Sequence, residues 1–390
     1  MTRLLARLLG RLPIGWLQLT HSRGRLAAAL AGVAFADVLV LVQLGIAGAL
    51  NTTIEGAYDV FEADVIVSAA DADTLADGSN VARAWLFRAL ADPEVEGGTT
   101  LFVGALPWSR EGGEATLQAY GVDPEASRFL APDLAGLAPG LALPDAAALD
   151  RRTRGLSAEE AAAIRPDAPL RFEARGRTLS VRETFEGGVS FATDGYLLVS
   201  DQTFLRLFPD RSSGAPDHVL LRTVRGADPE AVAARLAAVL PAEAVRVRTL
   251  GEAAAADVAF QTTERPTGII FGFGVVIGVL VGVVIVYQVL STDVADHLSE
   301  YATFKAIGYR DRFFLGVVLE EAAILGLLGF VPGVLVAAAL HAALGAMTGL
   351  PLALGAGTAG AVLAGTVAAC ALSGAIATRR LAAADPAELF

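Results

Sequence analysis

Residues 268–344 read GIIFGFGVVIGVLVGVVIVYQVL (268–290), STDVADHLSEYATFKAIGYRDR (291–312) and FFLGVVLEEAAILGLLGFVPGVLVAAALHAAL (313–344). An α-helix needs about 20 apolar residues to cross a bilayer, and the first and third runs each supply them. The polar segment between them contains Lys305, the only lysine of the chain. It predicts a short charged connection at a membrane surface, where a soluble partner can bind.

The same apolar length occurs at two other places in the chain. With 54% hydrophobic residues and a mean hydropathy of +0.53, the protein is too apolar for one soluble globule. The predicted spans are residues 26–50, 267–290, 313–344 and 352–378. Residues 51–266 are mixed in character and numerous enough for a domain with its own core. We therefore expect a membrane protein with four transmembrane α-helices and a large α+β extracytoplasmic domain inserted between helices 1 and 2.

Charge placement predicts the orientation. Residues 1–25 carry arginine and no acid, whereas residues 51–75 carry acids and no base. Because basic residues stay in the cytoplasm, both termini should be cytoplasmic and the inserted domain outside, with Arg379 and Arg380 marking the tail 379–390. The sequence thus predicts a multi-pass membrane protein with an extracytoplasmic domain. Residues 1–19 alternate arginine with apolar residues, which predicts a basic amphipathic segment on the inner leaflet.

The inserted domain shows alternating strand and helix patterns. The patterns predict two helices, at 80–90 and at 228–240, and a third over 251–263 that leads into the second span, interrupted near Pro266. Residues 218–223, 228–240 and 245–248 form a βαβ-like passage, and a Gly/Pro/Ala-rich stretch (131–144) predicts a division into two lobes. The predicted strands are 63–68, 99–106, 115–120, 170–174, 178–182, 196–200, 218–223 and 245–248.

The residue types required for catalysis do not occur in a usable pattern. Lys305 lacks the glycine-spaced loop that a phosphate-binding lysine follows, Ser190 lacks the nucleophile-elbow pattern, and Cys370 is the only cysteine. The four histidines have no metal-ligand spacing. We expect no catalytic residue, no metal and no cofactor, and any ATP must be hydrolysed by a separate subunit. The net charge of −12 gives no reason to expect nucleic-acid binding.

Small residues in the spans predict close helix packing. Gly274, Gly278 and Gly282 repeat every fourth residue in the second span, so one face of that helix is flat enough for another backbone. The first span offers a matching face in Ala28, Gly32 and Ala36, and the two spans together would form a stiff lever.

Asp37 lies inside the first span, where a carboxylate costs about 2.5–3.5 kcal/mol on insertion scales. Residue counting puts it at the depth of Gly278 and of Thr366, whose hydroxyl can donate a hydrogen bond to it. His341 falls at the outer end of the third span, and the sequence indicates no second intramembrane acid that would support a proton relay. A structural or dimer-contact role for Asp37 is favoured.

The polar segment 291–312 has the pattern of a short helix with a glycine C-cap at Ile307–Gly308. A solvated loop would not need aromatic residues grouped in this way, so docking to a partner is the favoured interpretation. The residues assigned to ATPase coupling are Asp296, His297, Glu300, Tyr301, Phe304, Lys305, Gly308 and Tyr309.

Residues 287–333 closely resemble the DevC-type permeases of the FtsX/MacB-like superfamily of ABC transporters, and the resemblance extends to 31–45, 61–68, 191–209 and 384–390. It implies a homodimeric permease whose coupling helix at 296–308 docks a cytoplasmic P-loop ATPase. It also implies a periplasmic membrane-fusion adaptor bound to the inserted domain and, through it, a TolC-like outer-membrane protein. The DevC-type relatives suggest a lipid or glycolipid as the exported cargo.

Three other functions remain open at the level of sequence. An FtsX-like signalling module would activate a periplasmic hydrolase and move no cargo. A LolC/LolE-like permease would release lipoproteins, and an enzyme is a remote fourth alternative. Copurification distinguishes the exporter from the signalling module, because an exporter should retain an adaptor and a signalling module should retain a hydrolase.

Overall fold

The computed structural model describes residues 14–110, 113–188, 190–296, 303 and 307–383. Four helices in this part of the chain are long and apolar enough to cross a membrane, which confirms the predicted number of spans. We call them spans 1 to 4: Arg23–Tyr58, Pro266–Val289, Arg312–Thr348 and Ala356–Ile376.

The chain divides into two compact units. The membrane unit comprises 1–48, 269–344 and 352–390, and the second unit comprises 49–268 together with 345–351. We call the second unit the inserted domain. Its position between spans 1 and 2, and its mixture of strands and helices, confirm the predicted fold class.

The inserted domain contains one mixed sheet in the order β5-β6-β4-β7-β3-β2-β8-β1-β9. The β3–β7 and β4–β6 pairs are parallel and the other neighbours are antiparallel. The strands are β1 Val65–Ala69, β2 Val95–Arg110, β3 Gly113–Val122, β4 Ala146–Asp150, β5 Leu170–Ala174, β6 Arg177–Phe185, β7 Gly195–Ser200, β8 His218–Thr223 and β9 Val245–Thr249.

The βαβ-like passage is confirmed, with β1 inserted between its two strands. Both β8 and β9 run antiparallel to β1, so they are parallel to each other on either side of it. Their connecting helix, Pro229–Val239, begins where the Asp228 carboxylate accepts a hydrogen bond from Glu230 N at 3.1 Å, with proline in the first turn.

The inserted domain has two hydrophobic cores, but the stretch 131–144 does not separate them, because each core takes residues from both sides of it. One forms around Phe102, Trp108 and Phe204, and the other around Val65, Leu221 and Val232. The cores nevertheless share a single sheet, because the long strand β2 pairs with β3 on one side and β8 on the other. The two cores are therefore joined through one strand.

Strand β4 has no counterpart in the sequence prediction. Its residues, Ala146–Asp150, are completely buried in the middle of the sheet, yet three of the five are alanine, which is depleted in strands. Pairing with β6 and β7 supplies the strand conformation that the local sequence does not favour.

The helix that leads into span 2 begins at a capping box. The Thr249 hydroxyl accepts from Glu252 N at 3.1 Å, and the Glu252 carboxylate accepts from Thr249 N at 2.9 Å. This junction helix, Leu250–Thr263, ends before Pro266 opens the next helix, as predicted. The remaining helices are Ile14–His21, Ala84–Ala89, Ala138–Leu141, Ala158–Ala163, Asp201–Leu207 and Pro229–Val239.

Truncation of Phe204 should destabilise the inserted domain by about 3–5 kcal/mol. Its ring is fully buried, with its centroid 4.4 Å from that of Phe208 and 5.5 Å from that of Phe102. We expect Phe204→Ala to lower the unfolding midpoint of the purified protein in guanidinium. Phe87→Ala is the matched control, because Phe87 is 66% exposed, and an equal loss in both variants would contradict the assignment of the core.

Candidate functional site

The described residues include the two ends of the predicted coupling segment and Thr303 between them. His297, Glu300, Tyr301, Phe304 and Lys305 lie outside them. Toward its end, Ile307 N donates to Thr303 O at 3.1 Å, and Gly308 has a φ of +105°, so the predicted turn at Ile307–Gly308 is present.

Two further residues assigned to the coupling segment have contacts with neighbouring spans. Asp296 ends the helix of span 2 and forms an ion pair with Arg25 at the start of span 1. Tyr309 is 45% exposed, and its ring centroid lies 4.6 Å from that of Phe313. The Arg25–Asp296 pair joins the first turn of the span 1 helix to the last turn of the span 2 helix.

The glycine face of span 2 lies against span 1. A Cβ added to Gly282 would lie 3.0 Å from Ala36 Cβ, and one added to Gly278 would lie 3.3 Å from Val40 Cγ2. At Gly274, the Gln43 side chain lies directly over the glycine. The three glycines therefore allow span 1 to approach closely, and a side chain at these positions would push the helices apart.

Span 1 packs against span 3 with small residues opposite large ones, four residues apart on both helices. Val33 packs on Gly329, Asp37 on Gly333, and the His341 imidazole on Gly45. Leu41 and Ala337, the intermediate level, are fully buried in one cluster. Span 3 supplies the small residue at three of these four levels, and span 1 supplies it at the fourth. We call this set of contacts between spans 1 and 3 the ladder.

Asp37 is 3% exposed and receives a hydrogen bond from Thr366 in span 4, the partner suggested by residue counting. Its other carboxylate oxygen, Oδ2, has no hydrogen-bond partner among the residues that the structure describes. Asp37 also lines a cavity of about 280 Å³ between spans 1, 2 and 4, whose remaining walls, apart from Thr366, are aliphatic or glycine. This one carboxylate thus contacts spans 3 and 4 from span 1.

The expectation that the spans contain no second acid is wrong. Glu320 and Glu321 lie within span 3 and are 8% and 0% exposed. The helix Ile14–His21 packs beside them: Trp16 N donates to Glu320 Oε1 at 3.4 Å, and a Cβ on Gly15 would lie 2.8 Å from Glu321 Cγ. The two consecutive acids in an otherwise apolar run were the sequence signal that could have revealed them.

His341 lies near the end of span 3, as predicted from the sequence, and it is also buried. The imidazole is 2% exposed, and within the described part of the chain neither ring nitrogen has a hydrogen-bond partner. No group of three or more histidine, cysteine or acidic side chains in the described part of the chain is arranged to hold a metal ion.

Asp257 forms a polar clamp at the base of the inserted domain. Its Oδ2 accepts from Tyr58 Oη at 2.9 Å and from Leu75 N at 3.0 Å, and its Oδ1 accepts from Gln261 Nε2 at 2.7 Å. Tyr58 ends the helix of span 1, whereas Asp257 lies in the junction helix that precedes span 2. Burial raises the pKa of Asp257 although all three hydrogen bonds oppose the shift. No sequence pattern indicated this long-range contact.

Residues 272–386 match the family model of the FtsX-like permease C-terminal domain. This FtsX-like region covers part of span 2, the polar segment and spans 3 and 4. No curated protein matches the chain. Similar crystal structures include the extracellular domain of the noncanonic ABC-type transporter YknZ from Gram-positive bacteria and the periplasmic region of MacB from Actinobacillus actinomycetemcomitans.

The YknZ domain has a TM-score of 0.34 and 11% identity, over 48% of this chain and 98% of that chain. The MacB region has a TM-score of 0.33 and 10% identity, over 50% of this chain and 92% of that chain.

Replacement of Gly333 by alanine should weaken the contact between spans 1 and 3. The new Cβ would lie 2.9 Å from Asp37 Cβ and 3.1 Å from Ala34 O, and a backbone carbonyl cannot move aside. We expect a loss of about 1–3 kcal/mol, measured by SDS-induced unfolding of the purified protein. Gly272→Ala is the control, because a Cβ there meets nothing within 4 Å, and it should be neutral or stabilising. Equal behaviour of the two variants would contradict the ladder.

Asp257→Asn should change how stability depends on pH. Because burial raises the folded-state pKa above the ordinary value of 3.8, the folded state binds the proton more tightly than the unfolded state. The wild type should therefore gain stability relative to the variant as pH falls from above the raised pKa to 3.8, and no more below it. Urea unfolding at several pH values measures this difference. A difference that stays constant with pH would contradict the assignment.

Proposed function

We propose that this protein is the permease subunit of an ATP-driven ABC export complex. The observation that carries the proposal is the FtsX-like match over 272–386, which includes the polar segment between spans 2 and 3. The inserted domain between spans 1 and 2 supports it. In this function the chain itself hydrolyses nothing, and a cytoplasmic P-loop ATPase supplies the energy.

The proposed location is a bacterial inner membrane, with both termini cytoplasmic and the inserted domain periplasmic. The arginines of 1–25 and the acids of 51–75 support this orientation. It brings the polar segment 291–312 to the cytoplasmic face, where an ATPase can reach it.

The polar segment acts as the coupling helix in this proposal. An ATPase docked on Glu300, Tyr301, Phe304 and Lys305 would pull on the adjoining ends of spans 2 and 3. Because Asp296 is paired with Arg25, movement of the segment would also reach span 1.

Spans 1 and 2 then transmit the movement to the inserted domain. Two contacts hold this helix pair, the Arg25–Asp296 ion pair and the glycine face of span 2, and the clamp between Tyr58 and Asp257 ties span 1 to the junction helix. A helix of 36 residues is about 54 Å long, so span 1 alone reaches from one surface of a bilayer well beyond the other. This mechanotransmission needs no continuous channel through the bilayer.

The further partners follow from the DevC-type resemblance. A membrane-fusion adaptor would bind the inserted domain and connect it to a TolC-like outer-membrane protein. A homodimer would provide two coupling helices for a pair of ATPase subunits. A lipid or glycolipid is the proposed cargo.

Copurification of the tagged full chain from its own membranes tests the class of function. An exporter should retain a P-loop ATPase and an adaptor. Recovery of the ATPase with a cell-wall hydrolase and no adaptor would instead favour the FtsX-like signalling function.

Charge reversal in the polar segment should uncouple the ATPase from transport. We expect the double variant Glu300→Lys with Lys305→Glu, and separately Gly308→Pro, to reduce binding of the ATPase while the dimer stays intact. Pull-down of the ATPase and size-exclusion chromatography measure the two properties. Glu243→Lys, at an exposed position of the inserted domain, is the control. ATPase binding that is unchanged in both variants would exclude this segment as the coupling helix.

A further inference from the structure

The turn between spans 3 and 4 belongs to the inserted domain. Residues 345–351 group with 49–268 and not with the spans on either side of them. A hydrogen bond within that unit connects the turn to a distant residue: Arg154 Nε donates to Thr348 O at 3.2 Å. The connection is uncharged and short, so its sequence gives no sign of this contact.

Thr348 is the last residue of the helix of span 3. Gly349 follows it with a φ of +73°, and its N–H returns to Gly345 O at 2.8 Å, which ends the helix. The final carbonyls of a helix carry the negative end of its dipole, and an arginine there is favourable. Arg154 therefore caps span 3 from a distant part of the chain.

Other contacts hold the Arg154 side chain in position. Its Nη1 pairs with Asp194 Oδ1 at 2.8 Å, and its Nη2 donates to Ser190 O at 3.3 Å. Asp194 is itself fixed, because its Oδ2 accepts from Thr116 N at 2.8 Å. The rigid fork of a guanidinium suits three partners in different directions, which a lysine cannot satisfy together. We call Arg154, Asp194, Ser190 and Thr348 the Arg154 bracket.

Neighbouring arginines do not share this arrangement. Arg151 and Arg152 both lie near Glu186, at 3.3 and 3.6 Å, and their side chains are 53% and 57% exposed. The bracket is thus a property of Arg154 and not of a generally basic loop.

We propose that Arg154 is a positioning residue that fastens the inserted domain to the turn between spans 3 and 4. This rests on the proposed function, which it extends: the domain is joined covalently to spans 1 and 2, and the bracket makes spans 3 and 4 follow its movement. A domain displaced by the first two spans would carry the end of span 3 with it.

Hydrogen exchange of the full chain in phospholipid nanodiscs tests the bracket without any partner. In Arg154→Met, the Gly349 and Leu350 amides should exchange about tenfold faster, as expected for loss of one hydrogen bond to a charged group. In Arg151→Met they should exchange as in the wild type. Arg154→Lys, which keeps the charge but not the fork, should be intermediate. Unchanged exchange of amides in 250–263 shows that each variant is folded.

Exchange at 349–350 that is unchanged in Arg154→Met, or that rises equally in Arg151→Met, would overturn the proposal. Should Arg154→Met fail to fold, Arg154→Lys decides by the same measurement.

A second measurement separates this proposal from the proposed function. In the complex copurified with its ATPase, a non-hydrolysable ATP analogue should alter exchange at 345–351 in the wild type and not in Arg154→Met. If no ATPase copurifies, the export function fails while the first measurement still decides the bracket. If the analogue changes exchange equally in both proteins, the bracket does not transmit movement.

Discussion

Close packing of span 1 against two other helices is the constraint on which the membrane unit depends. In a bilayer no hydrophobic force brings helices together, because lipid tails are as apolar as the side chains. Contact must come from complementary shape, and between spans 1 and 3 each large residue meets a small one. Span 1 uses one face for the glycines of span 2 and another for the ladder of span 3. Its helix therefore has little freedom to rotate, since rotation would bring Val33 or Asp37 against a surface without a glycine.

Three buried ionisable groups of the membrane unit lie against glycines. Asp37 and His341 are two members of the span 1–span 3 ladder, and Glu321 lies against Gly15 of the first helix. A glycine leaves room for a polar side chain but supplies no side-chain partner of its own. For Asp37 the partner comes from a fourth helix through Thr366. Polar groups inside a membrane usually face the bundle interior, and these follow that rule at the cost of desolvation.

The features that could be predicted are those that depend on residues close together in the sequence. The four spans follow from apolar length, and the glycine face of span 2 from its repeat of four. Strands with β-branched residues, such as β8 and β1, were also predictable. The alanine strand β4 was not, because only its neighbours make it a strand. The ladder was equally hidden: Gly329, Gly333 and His341 acquire their meaning only when the facing residues of span 1 are known. The Tyr58–Asp257 contact joins residues 199 positions apart, which no pattern within one segment can indicate.

Different kinds of contact fix the helices in the two units. Within the membrane unit the helices are fixed mainly by shape, which changes only if whole helices shift. In the inserted domain, Asp257 and Arg154 hold helix ends through hydrogen bonds, which depend on direction as well as on distance. The proposed transmission of movement without a channel would use both kinds of contact: closely packed helices in the membrane unit and directional hydrogen bonds in the inserted domain.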